Sequence, residues 1–244
     1  MVKKTKVCII VPTFNEEGSI KTIISEIVKL KLNTTLVVVD DGSVDNTKSI
    51  LSKLKVITTL RDKNSKLKIL THPFNLGIGG AVQTGLRYAW ENGYNVAIQI
   101  DGDAQHDPKY LVKLLKGLGE GADLVIGSRY IKKTKYKTPW PRLLGIKIFS
   151  ALIFITCRKK VYDTTSGYRV FGKSALELFS KHYPQEFPEP RSIVTLLKNG
   201  YTIKEIPVET RERTTGQSSI SLFNAVYLMF SISIAILFES FKKK

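Results

Sequence analysis

The sequence predicts an α/β fold with a mostly parallel central sheet flanked by helices, followed by an apolar C-terminal helix. Short, β-branched apolar runs alternate at least four times with segments of helical spacing, as in repeated β-α units. The runs are apolar throughout, which is typical of strands covered by helices on both faces. Polar residues follow these strands at the edge where open parallel sheets bind ligands.

The predicted elements follow one another in a regular order. Ile20, Ile23, Ile24 and Ile27 lie on one side of the first helix, and Asp45 to Thr47 can cap the second. Strands are predicted at 6–11, 35–39, 67–71, 94–100, 123–126 and 201–208. Helices are predicted at 16–30, 46–54, 80–92, 108–118, 173–181 and 191–199.

The last third of the chain contains two longer apolar runs. Residues 132–142 are basic with interleaved aromatics, and the 14 residues 143–156 are too few for a membrane span. We therefore expect a core helix or an interfacial helix there. The 17-residue run 222–238 is interrupted by Asn224, Ser231 and Ser233, which favours an interfacial helix or one packed on a small membrane-protein partner. We predict one domain over 1–220 and a membrane-associated or partner-binding helix over 221–244.

Composition limits the possible partners and compartment. The chain of 244 residues has 38 Lys and Arg against 21 Asp and Glu, a formal net charge of +17, so polyanions are expected partners. Nucleic acid is disfavoured because neither a basic recognition helix nor an aromatic stacking platform is evident. Cys8 and Cys157 form no disulfide framework, which favours a reducing, cytoplasmic compartment. The N-terminus does not have the pattern of a signal peptide, because its apolar run is short.

The clearest chemical motif is D-G-D-A-Q at 101–105, which follows a buried strand. Burying unpaired carboxylates is costly, so a cation is expected beside Asp101 and Asp103. Gln105 adds a third oxygen donor, and such oxygen ligands suit Mg²⁺ or Mn²⁺ bridging a diphosphate. The alternative is an Asx-turn and helix cap, for which Asp107 is the better candidate.

Several motifs together resemble a known family. V-P-T-F-N-E at 11–16, V-V-D-D-G-S-V-D-N-T at 38–47, N-L-G-I-G-G-A at 75–81 and D-G-D-A-Q resemble the family 2 inverting glycosyltransferases of GT-A fold. D-T-T-S-G-Y-R at 163–169 and R-E-R-T-T-G-Q-S-S at 211–219 resemble the subgroup typified by dolichyl-phosphate mannose synthases. Members of that subgroup transfer a sugar from a nucleotide donor to a polyprenyl phosphate.

The resemblance implies roles for individual residues. The nucleotide would be held by Pro12, Phe14, Glu16, Asp41 and Asp101, with Asp40 in the same pocket or orienting its loop. The metal would be held by Asp101, Asp103 and Gln105. Acceptor or donor phosphates would be bound by Arg129, Ser166 and Arg213, and the catalytic residues would be Asp103, Arg129 and Arg213. A surface ion pair is the alternative for Arg129, and Arg211 is barely distinguished from Arg213.

The predicted function is metal-dependent, inverting transfer of a sugar from GDP-mannose or a UDP-hexose to a polyprenyl or dolichyl phosphate at the cytoplasmic face of the membrane. The alternative is transfer to a sugar hydroxyl, which requires a base; Glu189 is the candidate, although it can equally belong to a rigid turn. A non-catalytic binding subunit is a third possibility. His72 and His106 are expected to be structural, since the sequence shows no partner that orients them. Thr164, Ile78 and Ser219 depart from the residues usual in the family, which leaves the donor sugar open.

Overall fold

The central sheet has seven strands in the computed structural model, which describes residues 5–61, 66–132, 138–211 and 222–242. The strands are β1 (Val7–Thr13), β2 (Thr35–Asp40), β3 (Lys66–Thr71), β4 (Val96–Gln99), β5 (Leu124–Ser128), β6 (Arg169–Phe171) and β7 (Ile203–Pro207). Their spatial order is β3-β2-β1-β4-β6-β5-β7. Every neighbouring pair is parallel except those involving β6, which is antiparallel to β4 and β5. The prediction of a mostly parallel sheet is confirmed.

Helices cover both faces of the sheet, as the apolar strands require. They are α1 (Ile20–Lys29), α2 (Thr47–Arg61), α3 (Gly77–Glu91), α4 (Leu111–Leu118), α5 (Trp140–Cys157), α6 (Lys173–Lys181), α7 (Pro188–Lys198) and α8 (Leu222–Phe241). One core cluster contains buried residues of α1, α2 and α4, and the other contains buried residues of α3, α5, α6, α7 and α8. Each cluster packs on strand residues of one face of the sheet.

Several element boundaries differ from the sequence predictions. The helix expected at 80–92 begins at Gly77, and the one expected at 191–199 begins at Pro188. Proline suits the first turn of a helix, where its missing N–H costs nothing. The helix expected at 46–54 continues to Arg61, and β1 continues to Thr13. Strand β6 was not predicted, because three residues are too short a run to show a period.

The apolar run at 143–156 belongs to a longer helix than predicted. Because α5 begins at Trp140, it has 18 residues with a mean hydropathy of 1.5, and only 22% of them are buried. Among the described residues it is the one helix long and apolar enough to cross a membrane, by length and composition alone. Helix α5 packs against α8, where Gly145 faces the side chain of Met229. The expectation that this run is too short to span is therefore corrected.

Candidate active site

A cleft of about 290 Å³ lies at the carboxyl ends of β1, β2 and β4. Six of the predicted site residues line it: Pro12, Phe14, Glu16, Asp41, Asp101 and Asp103. Asn75, Gly77 and Ile78, at the start of α3, close its other side. The parallel strands thus bring motifs separated by up to about 90 residues along the chain to one edge of the sheet.

At one end of the cleft, Asp41 is fixed by two hydrogen bonds. Its Oδ1 lies 2.7 Å from Nδ1 of His72 and 2.9 Å from the backbone nitrogen of Leu76. The strand register explains the contact with His72. Asp40 at the end of β2 pairs with Thr71 at the end of β3, so the residues that follow them, Asp41 and His72, lie side by side. The preceding Asp40 is fully buried, accepts a hydrogen bond from the backbone of Ser43, and does not line the cleft. Its position therefore favours the predicted loop-orienting role.

At the other end of the cleft, Asp101 approaches the 163–168 loop very closely. A Cβ on Gly167 would lie 2.4 Å from Oδ2 and 2.7 Å from Oδ1 of Asp101, so any larger residue there would displace this carboxylate. Nε2 of His106 lies 3.3 Å from Oδ2 of Asp101. Burial acts to raise the pKa of Asp101, but His106, with Gln99 and Arg129, outweighs it and lowers that pKa. Asp101 is therefore ionised at neutral pH, as a cation ligand must be.

Asp103 belongs to a tight turn beside Asp101. Its Oδ1 accepts a hydrogen bond of 3.0 Å from the backbone of Gln105, and Ala104 between them has a φ of +57°. A left-handed conformation is uncommon for a residue with a side chain and is concentrated at functional sites. Gln105 is half-buried and does not line the cleft, so its role as a metal ligand stays a prediction.

The donor set fits a divalent cation that a substrate helps to hold. Among the residues that the structure describes, no three His, Cys, Asp or Glu side chains are grouped to bind a metal unaided. Asp101 and Asp103 supply carboxylates at one end of the same cleft. Mg²⁺ is usually held by one or two carboxylates together with substrate phosphates and water, and this pair suits that arrangement.

Arg129 is placed differently from the expectation of a phosphate-binding side chain or a surface ion pair. It is only 4% exposed, and its Nε and Nη2 each lie 2.7 Å from an oxygen of the buried Asp163. Glu205 on β7 holds the same loop by accepting hydrogen bonds from the backbones of Tyr162 and Asp163. These contacts indicate that Arg129 organises the 163–168 loop and adds positive charge near Asp101.

The remaining predicted phosphate ligands are not brought into the cleft. Ser166 is 1% exposed; its hydroxyl donates to the carbonyl of Gly127 and accepts from the backbone of Tyr168. Because that hydroxyl is used within the fold, the geometry does not favour phosphate binding by it. Arg213 lies outside the described residues. Arg211 is described, and it pairs with Glu26 and Asp107 away from the cleft.

Three residues near the site were underestimated from the sequence. His72 and His106 each contact a site aspartate, although no partner for either was foreseen. Arg169 is fully buried and donates to the carbonyls of Ser166 and Glu189 and to the hydroxyl of Ser192. The sequence signal for Arg169 was its position at the end of the motif T-S-G-Y-R. That position indicates a buried side chain only once Arg169 is known to begin β6.

Glu189 lies in the first turn of α7, where its carboxyl group interacts electrostatically with the charges of Arg169 and Asp101. Burial raises the pKa of Glu189, and the negative charge of Asp101 adds to that effect, although Arg169 opposes it. A raised pKa moves a carboxyl group toward the range in which a general base works best.

The comparison with known proteins decides the family. The family model described as "Glycosyl transferase family 2" matches residues 8–179, which include all but the first residue of β1, the strands β2 to β6 and the whole cleft. The chain belongs to glycosyl transferase family 2. The predicted membership in this family and the predicted glycosyltransferase class are confirmed.

The relatives of this glycosyltransferase extend over most of its length. It is 29% identical to the polyprenol monophosphomannose synthase of Mycolicibacterium smegmatis, over 92% of this chain and 84% of the relative. It is 31% identical to the UDP-N-acetylglucosamine–dolichyl-phosphate N-acetylglucosaminyltransferase of Methanococcus voltae, over 83% of this chain and 84% of the relative. The structure of a mannosyltransferase from Pyrobaculum calidifontis in complex with GDP-Man and Mn²⁺ matches with a TM-score of 0.70 at 18% identity, over 100% of this chain and 67% of that one. The GT-A fold is confirmed.

Proposed function

We propose that this glycosyltransferase transfers a sugar, with inversion, from a nucleotide-diphospho-sugar to a polyprenyl phosphate at the cytoplasmic face of a membrane. The observation that carries the proposal is the cleft with a fixed carboxylate, Asp41, at one end and the Asp101–Asp103 pair at the other. A nucleotide-sugar donor whose base lies at the Asp41 end places its diphosphate toward Asp101 and Asp103. The names of the two relatives, both of which act on polyprenyl or dolichyl phosphates, support the acceptor class.

The residues at and around the cleft have different roles in the proposed reaction. Asp101 and Asp103 would hold a Mg²⁺ or Mn²⁺ ion, which supplies Lewis-acid stabilisation of the leaving diphosphate. Gly167 gives Asp101 its space, and His106 helps to keep it ionised. Arg129 contributes positive charge near Asp101, at a position fixed by Asp163. A phosphate acceptor is anionic at neutral pH, so attack on the anomeric carbon needs no strong base.

A second, largely apolar groove of about 610 Å³ supports a lipid acceptor. It is lined by Leu143, Ile146 and Phe154 of α5, with Lys147 and Lys160 among its polar residues. Its lining also includes Tyr130, which follows Arg129 in the sequence, and Tyr162, which precedes Asp163, the ion-pair partner of Arg129. An isoprenoid chain suits the apolar lining, and the lysines suit its phosphate.

The exposed apolar surface of α5 and α8 supports membrane association. On α5 the exposed positions include Trp140, Leu144, Ile148 and Ile155, and on α8 they include Tyr227, Phe230, Ile234, Phe238 and Phe241. The spacing on each helix forms one stripe, and the net charge of +17 suits an anionic lipid surface. Binding of a small membrane protein to α8 remains a further part of the proposal.

Transfer of radiolabel from nucleotide-sugars to undecaprenyl or dolichyl phosphate in the presence of Mg²⁺ or Mn²⁺ tests the function. We expect lipid-linked label that Asp103→Asn abolishes and that Glu91→Gln, on the exposed end of α3, leaves intact. Label that appears in the lipid without added metal would contradict the assigned role of Asp101 and Asp103.

Transfer to a sugar hydroxyl is the second candidate function, because burial raises the pKa of Glu189 near Asp101. It requires label in a saccharide acceptor and its loss in Glu189→Gln. Label in the polyprenyl phosphate that survives Glu189→Gln would reject it.

A further inference from the structure

We infer that the donor is a uridine diphospho-sugar, selected over a guanosine donor because His72 leaves Asp41 only one carboxylate oxygen with which to read the base. The inference rests on the proposed function, since it names the base of the donor that the cleft binds. It also gives His72 a role as a specificity-determining residue that acts through Asp41.

The first step concerns the oxygen of Asp41 that is already occupied. Oδ1 is 2.7 Å from Nδ1 of His72 and 2.9 Å from the backbone nitrogen of Leu76. A carboxylate oxygen accepts hydrogen bonds, so Nδ1 of His72 is the donor in that contact. Two donors fill the two lone-pair sites of Oδ1. This oxygen therefore has no remaining acceptor site for a base.

The second step concerns the other oxygen of Asp41. Oδ2 has no hydrogen-bond partner among the residues that the structure describes. It differs from Oδ2 of Asp40, which is also unpartnered but is sealed from solvent. Asp41 lines the cleft although only 3% of its side chain is exposed. That small exposed part is the acceptor which the protein presents to a bound base.

The third step compares the bases. Uracil has a single ring donor, N3–H, flanked by two carbonyl oxygens, and one carboxylate oxygen satisfies it. Guanine has adjacent donors, N1–H and the N2 amino group, which match the two oxygens of a carboxylate as a bidentate pair. With Oδ1 occupied, one of the guanine donors would remain unpaired against Asp41. An unpaired polar group in a desolvated site costs more than a hydrogen bond gains, so guanine is disfavoured.

The fourth step is that Asp41 cannot turn to present both oxygens. Nε2 of His72 lies 2.9 Å from Oγ1 of Thr84 on α3, and the histidine is 9% exposed. The backbone nitrogen of His72 donates to the carbonyl of Asp40, and that of Asp41 donates to the carbonyl of Thr13. Both partners of the contact are thus held by neighbouring strands, and the histidine ring is held from both of its nitrogens.

Equilibrium binding of UDP and GDP to the full chain, measured by calorimetry with saturating Mn²⁺, tests the inference. We expect UDP to bind at least about tenfold more tightly than GDP, the scale of one hydrogen bond to a charged group. Equal affinities, or tighter binding of GDP, would overturn the inference and leave the proposed function standing. If neither nucleotide binds, both the inference and the proposed donor site are rejected.

Substitution of His72 tests its role separately. In His72→Leu, Oδ1 loses one donor, so the ratio of the GDP to the UDP dissociation constant should fall toward one. His72→Gln, which keeps a side-chain donor, should retain more of the preference, and His182→Ala at an exposed position should retain all of it. An equal loss of both affinities in His72→Leu would reduce His72 to a structural residue and reject its part of the inference. The ratio in the unmodified protein decides the base even if a His72 variant does not fold.

Discussion

The contact between Arg129 and Asp163 is a buried ion pair, with side chains that are only 4% and 0% exposed. Asp163 is fully buried and accepts three hydrogen bonds from Arg129, one of them from the backbone. Breaking a buried pair leaves the other charge without compensation, which typically costs about 3–5 kcal/mol. The pair therefore ties the end of β5 to the loop that precedes β6.

Asp163→Ala is expected to lower the free energy of unfolding by about 3–5 kcal/mol, because Arg129 would remain buried without its partner. Urea denaturation measures the change. Lys181→Ala, which breaks the exposed pair with Glu177, is the control and should change stability by less than about 1 kcal/mol. Equal effects of the two substitutions would show that Arg129 finds another partner.

Gly167→Ala is expected to impair the proposed metal site at Asp101 and Asp103 while leaving the fold in place. Its Cβ would lie 2.4 Å from Oδ2 of Asp101, so the carboxylate has to move. Disturbing a residue that positions a metal ligand typically weakens metal affinity about 10- to 100-fold. Titration of Mn²⁺ in the presence of UDP measures this effect. Gly119→Ala, whose Cβ would come no closer than 3.3 Å to another residue, should retain the affinity.

Among the elements, helix α7 contains the half-buried carboxyl group of Glu189 in its first turn. The positive end of a helix favours a negative charge in its first turn, but burial prevails and the net pKa of Glu189 is raised. A raised pKa in the folded state means that the folded protein holds the proton more tightly than the unfolded chain. This contribution to stability is complete below the unfolded pKa and is lost as the pH rises through the folded pKa.

Glu189→Gln is expected to become more stable relative to the unmodified protein as the pH rises from about 4, below the ordinary glutamate pKa, toward 7. The amide cannot ionise, so it avoids the desolvation cost that the carboxylate of Glu189 incurs. Thermal denaturation of both proteins across this range measures the difference, and the value at the lowest pH serves as the internal reference. A difference that is constant with pH, or that changes in the opposite direction, would contradict the raised pKa.

The predictability of the site also depends on its elements. Asp101, Asp103 and Asp41 were recognisable because each follows a buried run that is long enough to identify as a strand. Their contacts with His72 and His106 depend on strand register and loop packing, which a local pattern does not contain. The contact between Gly167 and Asp101 depends on β6, a strand of three residues without a readable period. The local sequence pattern therefore predicted the longer strands and helices, but it did not predict the contacts between residues that are distant in the chain.

For the molecule as a whole, the exposed apolar stripes of α5 and α8 predict binding to lipid. Phe230→Ser combined with Phe238→Ser is expected to weaken cosedimentation with anionic vesicles by tenfold or more, since burying each phenylalanine contributes about 1.5–3 kcal/mol. Val112→Ser, at an exposed position of α4, is the matched control. Unchanged vesicle binding in the double variant would show that α8 does not contact the lipid.

The position of β6 also imposes an order on biosynthesis. β4 and β5 are each hydrogen-bonded to β6 and not to one another. Until Phe171 has left the ribosome, both strands present an unpaired edge, which is a site for wrong pairing or aggregation. The first four strands can already form a sheet in the nascent chain, but Asp101 then lacks the loop of Gly167 against which it rests. The Asp41 end of the cleft can thus assemble early in translation, and its Asp101 end is completed only after β6 is inserted.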